Sequence, residues 1–158
     1  MSQIRSVVHL LFCAVLILLL GACATPAPPI AKLQGSVQTS TATNPDATGR
    51  PSPVVLRIYE LRAPSAFQNA DFFSLYDKDA ATLGQEMVLR EELELQPGET
   101  RELNRELQAD TRYVGVLAAF RDIDQAHWRA ITPITKGVPT SVIIKVDKLS
   151  VSISSATK

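Results

Sequence analysis

Cysteine is almost absent from this chain of 158 residues: Cys13 and Cys23 are the only two, and both fall near the N-terminus. Histidine is as scarce, with His9 and His127 alone. If the first 22 residues are removed, as argued below, one histidine and one modified thiol remain. That excludes an intramolecular disulfide, a cysteine-based zinc site and a Cys-His nucleophile. Charge of one sign is also missing. Sixteen basic residues balance sixteen acidic ones, so there is no basic excess to neutralise the phosphates of a nucleic acid. No Gly-x-Ser-x-Gly elbow, phosphate-binding glycine loop, dinucleotide fingerprint or calcium loop occurs. No repeat of fixed period is visible. What is present is a globular mixture, 46% hydrophobic and 20% charged, with ten prolines.

The N-terminus reads as an address. Arg5 is its one early charge, and an apolar run from Val7 to Leu20 is broken only by His9. The uninterrupted part, Leu10 to Leu20, falls short of the roughly 20 residues that span a bilayer and fits a secretory h-region. It ends in Leu20-Gly21-Ala22-Cys23, which resembles the bacterial lipobox. Small residues flank the scissile bond between Ala22 and Cys23, and the thiol would take the lipid. An uncleaved anchor with a chance cysteine would explain the apolar run but not the small-small-Cys ending. The expected domains are therefore 1–22 as cleaved signal peptide, 23–30 as lipidated cysteine and proline-rich tether, and 31–158 as the folded domain. Ala24 stands where, by resemblance to the Gram-negative sorting rule, Asp would retain a lipoprotein on the inner membrane. The expected location is the outer membrane, on its periplasmic face.

Beyond the tether the pattern is all-β with one interruption. Lys32 to Thr43 is rich in Thr, Ser and Val and is expected to be a strand at a sheet edge. Residues 43–53 form a loop dense in proline, which is long for a plain hairpin connection. Val54-Val55-Leu56-Arg57-Ile58-Tyr59-Glu60-Leu61 is the clearest strand. Val54, Leu56 and Ile58 share one face, while Val55, Tyr59 and Leu61 leave the other apolar enough to need a cover. The cover is expected from a helical insertion over residues 65–84, with Ser65, Asp71 and Asp79 as N-caps, Gly84 as the stop, and Phe67, Phe72, Phe73, Leu75, Tyr76 and Leu83 packing on the sheet. Met87 to Leu95 alternates as a strand, with Leu89 on its apolar face. Gln96-Pro97-Gly98-Glu99 turns the chain, and Thr100 to Leu107 fits helix or strand, the tight turn favouring strand. Tyr113 to Phe120 is apolar on both faces, hence central. Val142–Val146 and Leu149–Ile153 alternate in opposite phase. Because Asp147-Lys148 is a poor two-residue hairpin turn, one long bulged strand is expected there. Six or seven strands and a helical insertion suggest a β-sandwich.

Little in this pattern points to catalysis. Glu91, Glu92, Glu94, Glu99, Glu102 and Glu106 could include a glycosidase pair. Five of them alternate with apolar residues on strands, however, as a solvated sheet face does. His127 near Asp122 and Asp124 could belong to a triad, but no nucleophile elbow accompanies it. No metal site, cofactor or small-molecule substrate is expected. The stretch Phe120 to Arg129 ends on the only tryptophan. Its plain reading is a connection in which Trp128 covers the core and Arg121 and Arg129 pair with the aspartates. A sharper one makes Arg121, Asp122, Trp128 and Arg129 a secondary contact site, because Trp and Arg are enriched in binding hot spots.

Several stretches in order carry a family resemblance. They are the lipobox at Cys23, Arg50-Pro51-Ser52-Pro53 running into Val54–Leu61, Ala66-Phe67, Ala70-Asp71-Phe72-Phe73, Leu95-Gln96-Pro97-Gly98-Glu99, and Ala118-Ala119-Phe120-Arg121-Asp122 through Trp128-Arg129. Together they resemble the outer-membrane lipoprotein of the bacterial type VI secretion system, the TssJ family. The resemblance implies a transthyretin-like sandwich of two sheets with a helical insertion, and strand for 100–107. It implies no enzyme but a structural lipoprotein that binds the periplasmic C-terminal domain of the large inner-membrane TssM-family protein, and through it a TssL-family protein, in an envelope-spanning assembly. The family's partner-binding loop maps to Asn44, Pro45, Asp46, Ala47, Thr48, Gly49, Arg50 and Pro51, running on to Ser52. Such a loop would present Asn44, Asp46 and Arg50 at the end of the sandwich, and its prolines would reduce the entropy lost on docking. A periplasmic ligand- or carbohydrate-binding lipoprotein is the competing reading; a concave aromatic face would favour it.

Overall fold

The computed structural model describes residues 31–157. The expected signal peptide (1–22), its cleavage site at Ala22, the expected lipidation at Cys23 and the expected tether (23–30) lie outside the described residues. Eight strands follow one another: β1 (Lys32–Thr39), β2 (Val54–Leu61), β3 (Met87–Leu95), β4 (Thr100–Glu106), β5 (Tyr113–Ala119), β6 (Arg129–Pro133), β7 (Thr140–Val146) and β8 (Val151–Thr157). Between β2 and β3 come α1 (Ser65–Asn69), α2 (Phe72–Leu83) and a 3-10 turn (Gly84–Glu86). Two four-stranded sheets result, in the orders β4-β1-β7-β8 and β3-β2-β5-β6. All pairings are antiparallel except β1 with β7, which run parallel. The two-sheet sandwich with a helical insertion is the fold the resemblance implies.

Alternation builds the core. Leu33 and Val37 of one sheet face Leu56, Ile58, Val114, Val116 and Ala118 of the other, joined by Val142, Ile144 and Val146. A second apolar cluster lies outside that sandwich, where Tyr59, Leu61 and Leu117 meet Phe67, Leu75 and Leu83 of the insertion. The half-apolar second face of β2 is thus covered by the segment that follows it. Asp71 caps α2 by accepting from Ser74 N at 2.9 Å, and Gly84 closes it. Ser65 is not a cap; α1 is preceded by Pro64, with no side-chain bond. Asp79 follows a kink at Lys78, and its carboxylate takes Ala80 N, Arg90 Nη1 at 2.8 Å and the Tyr59 hydroxyl at 3.2 Å.

Five further expectations change. β1 ends at Thr39 and is internal, because β4 and β7 flank it; its polar residues fall on the open sheet face rather than at an edge. Phe73 is 62% exposed and Leu89 41%, so neither packs in the core. Residues 142–153 are two strands, joined by a four-residue loop in which Asp147 N bonds Ser150 O at 2.8 Å. The two-residue turn that the sequence disfavours is never needed. β6, with Pro133 at its end, makes an eighth strand. Among the glutamates, Glu91 lies toward the sandwich and pairs with Arg105, and Glu92 pairs with the buried Arg57 at 2.7 Å.

Candidate interaction surface

The sandwich has two ends. The chain enters at the near end, where Ala31 O accepts from Leu107 N at 2.8 Å. The far end collects the β1–β2, β3–β4, β5–β6 and β7–β8 loops.

The β1–β2 loop at the far end is built, not merely long. Asn44 is 3% exposed and adopts a left-handed φ of 49°, a conformation asparagine tolerates better than most residues. Its Nδ2 donates to Pro53 O at 2.6 Å, its Oδ1 accepts from Arg121 N at 2.8 Å, and its backbone N–H donates to Lys148 O at 3.0 Å. One side chain thus fastens the loop to the β5–β6 connection, while its backbone reaches the β7–β8 loop. Asn44 is therefore not presented to a partner, contrary to the sequence expectation: its amide is spent inside. Thr43 assists, donating its hydroxyl to Val146 O at 2.8 Å.

Beyond Asn44 the loop turns around Asp46. Oδ1 accepts from Thr48 N at 2.9 Å, Thr48 Oγ1 at 2.7 Å and Arg50 N at 3.0 Å, and Oδ2 accepts from Arg50 Nε at 3.2 Å. The Thr48 hydroxyl bond, the Arg50 backbone bond and the nearby guanidinium hold the Asp46 carboxyl down to about 2. Asp46 is thus ionised throughout the neutral range and shapes a tip of Ala47, Thr48, Gly49, Arg50 and Pro51, all exposed. The Arg50 side chain is 82% exposed despite its bond to Asp46.

Pro45, Asp46, Ala47 and Gly49 meet Arg121, Asp122, Lys148 and Leu149 around an open depression of about 590 Å³. Two segments singled out separately in the sequence, 44–51 and 121–122, are therefore one surface. Lys148 and Leu149 join them, and no sequence signal marked them, because their place depends on the β7–β8 loop. No aromatic side chain lines this depression; the aromatic cluster of Phe72, Phe73, Tyr76 and Trp128 lies at the helical insertion.

Trp128 and Arg129 belong elsewhere. The Trp128 ring meets Phe72 edge-on at 5.3 Å. Arg129 Nη1 donates to Ala70 O at 2.6 Å and Phe67 O at 3.1 Å, and its guanidinium lies 4.6 Å from the Trp128 ring centre. Arg129 bonds carbonyls rather than the expected aspartates, and the pair clamps the helical insertion to β6. His127 is exposed; its backbone ties to Leu149 O and Val151 N. Among the described residues no group of acidic, histidine or cysteine side chains has metal-binding geometry, and no helix is long and apolar enough to cross a membrane.

Comparison with known proteins places this architecture. The T6SS lipoprotein TssJ1 of Pseudomonas aeruginosa is 34% identical, with a TM-score of 0.78, and the match covers 81% of this chain and 98% of that one. A chain in a structure described as a type VI membrane complex is 26% identical, with a TM-score of 0.68 and coverage of 78% and 97%. A chain in a structure described as the T6SS protein TssM C-terminal domain from EAEC is 25% identical, with a TM-score of 0.66 and the same coverage. No curated protein matches the chain. The sequence profile of the type VI secretion lipoproteins (VasD, EvfM, TssJ) matches residues 31–149, which takes in the whole β1–β2 loop, the helical insertion and the β5–β6 connection. On that match the chain belongs to the type VI secretion lipoprotein family, TssJ.

Proposed function

We propose that this lipoprotein is cleaved between Ala22 and Cys23 and held by acylated Cys23 on the periplasmic face of the outer membrane. There it binds the periplasmic C-terminal domain of the TssM-family protein and, through it, is linked to a TssL-family protein. Its role is structural, and no catalytic group is required. The contact surface is the far end of the sandwich: the tip from Pro45 to Pro51, with Arg121 and Asp122 beside it. The observation that carries this is the preorganised loop. Asp46 and Asn44 fix its backbone before any partner arrives, so little ordering entropy remains to be lost on docking. The exposed Arg50, Arg121 and Asp122 then offer charged contacts around the open depression. Similar chains in structures described as a type VI membrane complex and as the TssM C-terminal domain support the choice of partner. Anchoring adds to it, since a tethered protein meets an anchored partner at raised effective concentration.

The test is titration calorimetry with a purified TssM-family periplasmic fragment. Arg50→Glu combined with Arg121→Glu should weaken binding at least tenfold, about 1.4 kcal/mol, with an unchanged melting temperature. Full affinity in the folded variant would remove the far end from the interface.

A further inference from the structure

Three of the far-end loops are bonded to one another in a closed triangle. The β1–β2 loop reaches the β5–β6 connection through Asn44 Oδ1, which accepts from Arg121 N at 2.8 Å. It reaches the β7–β8 loop through Asn44 N, which donates to Lys148 O at 3.0 Å, and through the Thr43 hydroxyl, which donates to Val146 O at 2.8 Å. The third side joins the other two loops directly: His127 N donates to Leu149 O and Val151 N donates to His127 O, both at 2.9 Å. The β3–β4 loop is bonded instead where β1 ends, with Thr39 N donating to Glu99 O and Gly98 N to Ser40 O.

The depression lies between the three joined loops and takes its walls from each: Pro45 and Ala47 from the first, Arg121 and Asp122 from the second, Lys148 and Leu149 from the third. Its shape therefore depends on the two sides of the triangle that meet at Asn44. The residue type suits that corner. Asparagine tolerates the left-handed φ of 49° found there. A side-chain amide supplies a donor and an acceptor at once. The donor Nδ2 is held by Pro53 O at 2.6 Å, inside its own loop, and this aims Oδ1 across at Arg121. At 3% exposed, Asn44 has almost no surface left for a partner.

We propose that Asn44 is a positioning residue that locks the three loops into one partner-binding surface, and that the β7–β8 loop, through Lys148 and Leu149, is the third wall of that surface. This rests on the far-end contact with the TssM-family periplasmic domain proposed above. Because the three loops move as one body, the tip cannot be displaced without carrying 121–122 and 148–149 with it. A partner that spans the depression then meets walls already at their bound spacing and loses less ordering entropy on docking.

The mature chain in detergent, titrated with a purified TssM-family periplasmic fragment, supplies the test. Arg50→Glu with Arg121→Glu is measured first: unchanged affinity overturns the far-end reading, and the lock with it. Given a loss there, Lys148→Trp should weaken binding at least tenfold, because the ring fills the depression while the bond to Asn44 uses only the Lys148 backbone oxygen. Full affinity in that chain overturns the third wall alone. Asn44→Gly keeps the left-handed backbone accessible but removes both amide bonds, and the folded chain should bind at least tenfold more weakly. A lower melting temperature with unchanged affinity would make Asn44 structural only and overturn the positioning role. Asn44→Asp keeps an acceptor for Arg121 N and should bind within threefold of the unaltered chain. A tenfold loss in Asn44→Asp overturns the assignment to the Arg121 bond, whether or not Asn44→Gly folds.

Discussion

Gly35 and Asp46 show how much a single residue can decide. Gly35 has a φ of +144° in the middle of β1, and a Cβ there would lie 1.7 Å from Val142 O of the parallel neighbour β7. Backbone cannot step aside as a side chain tip can. Gly35→Ala should therefore cost about 2–4 kcal/mol, from strain plus overpacking, read as a fall in the urea midpoint of the soluble form lacking its lipid. Asp46 makes a prediction of another kind. Its folded value, about 2, lies below the ordinary aspartate value of 3.8, so its ionised form favours the built loop. That contribution is complete above roughly pH 4 and is lost as pH falls through about 2. An NMR titration of the Asp46 carboxyl carbon should give a midpoint near 2, and the amide signals of Thr48 and Arg50 should shift with it. A midpoint near 4 would mean that the loop is not organised around this carboxylate.

At the scale of elements, the helical insertion is held by polar as well as apolar contacts. Asp79 is buried, which alone would raise its carboxyl, but the bonds from Arg90 and Ala80 N outweigh this and lower it. The neighbouring Tyr59 phenol, buried beneath α2, is pushed up to about 12, so it remains a donor to Asp79 at any physiological pH. Arg57 reaches from β2 to Tyr76 O at 2.5 Å and stacks 4.3 Å from the Tyr76 ring centre. Asp79→Ala removes the acceptor these groups share and should cost about 2–3 kcal/mol. Tyr59→Phe, which leaves Asp79 its other partners, should cost about 1 kcal/mol. Limited proteolysis should cut the Asp79→Ala chain first between residues 65 and 86. Equal effects of the two changes would show that Asp79 is not the hub of this contact.

For the whole molecule, the prediction concerns place. Cys23→Ser should leave a folded domain that takes up no labelled fatty acid, because the residue precedes residues 31–149, which the family profile matches. Ala24→Asp should move the acylated protein to the inner-membrane fraction of a density gradient. Label on the Cys23→Ser chain, or outer-membrane banding of the Ala24→Asp chain, would count against the anchoring and the sorting respectively.

Some of this is written in neighbouring residues. The apolar run before Leu20-Gly21-Ala22-Cys23 is a local pattern, and the lipoprotein signal read from it lies outside the described residues. Val54–Leu61 is legible because its alternation is set by the two-residue period of a strand. The need for a cover on its second face follows from the same eight residues. What sequence spacing cannot carry is the meeting of distant segments. The Thr-, Ser- and Val-rich stretch of β1 reads as an edge strand, yet β4 and β7 take both its sides and leave its polar side chains on an open face. β7 and β8 looked like one strand because a four-residue loop and a phase change look alike in one dimension. Asn44 has the same loop composition as its neighbours, but the fold buries it against Arg121, 77 residues away, whose backbone N–H donates to its Oδ1. Local periodicity is dictated by backbone geometry and so is present in the chain itself. The joining of 44–51 with 121–122 and 148–149 depends on which strands pair, and that is settled only when the whole core is buried at once.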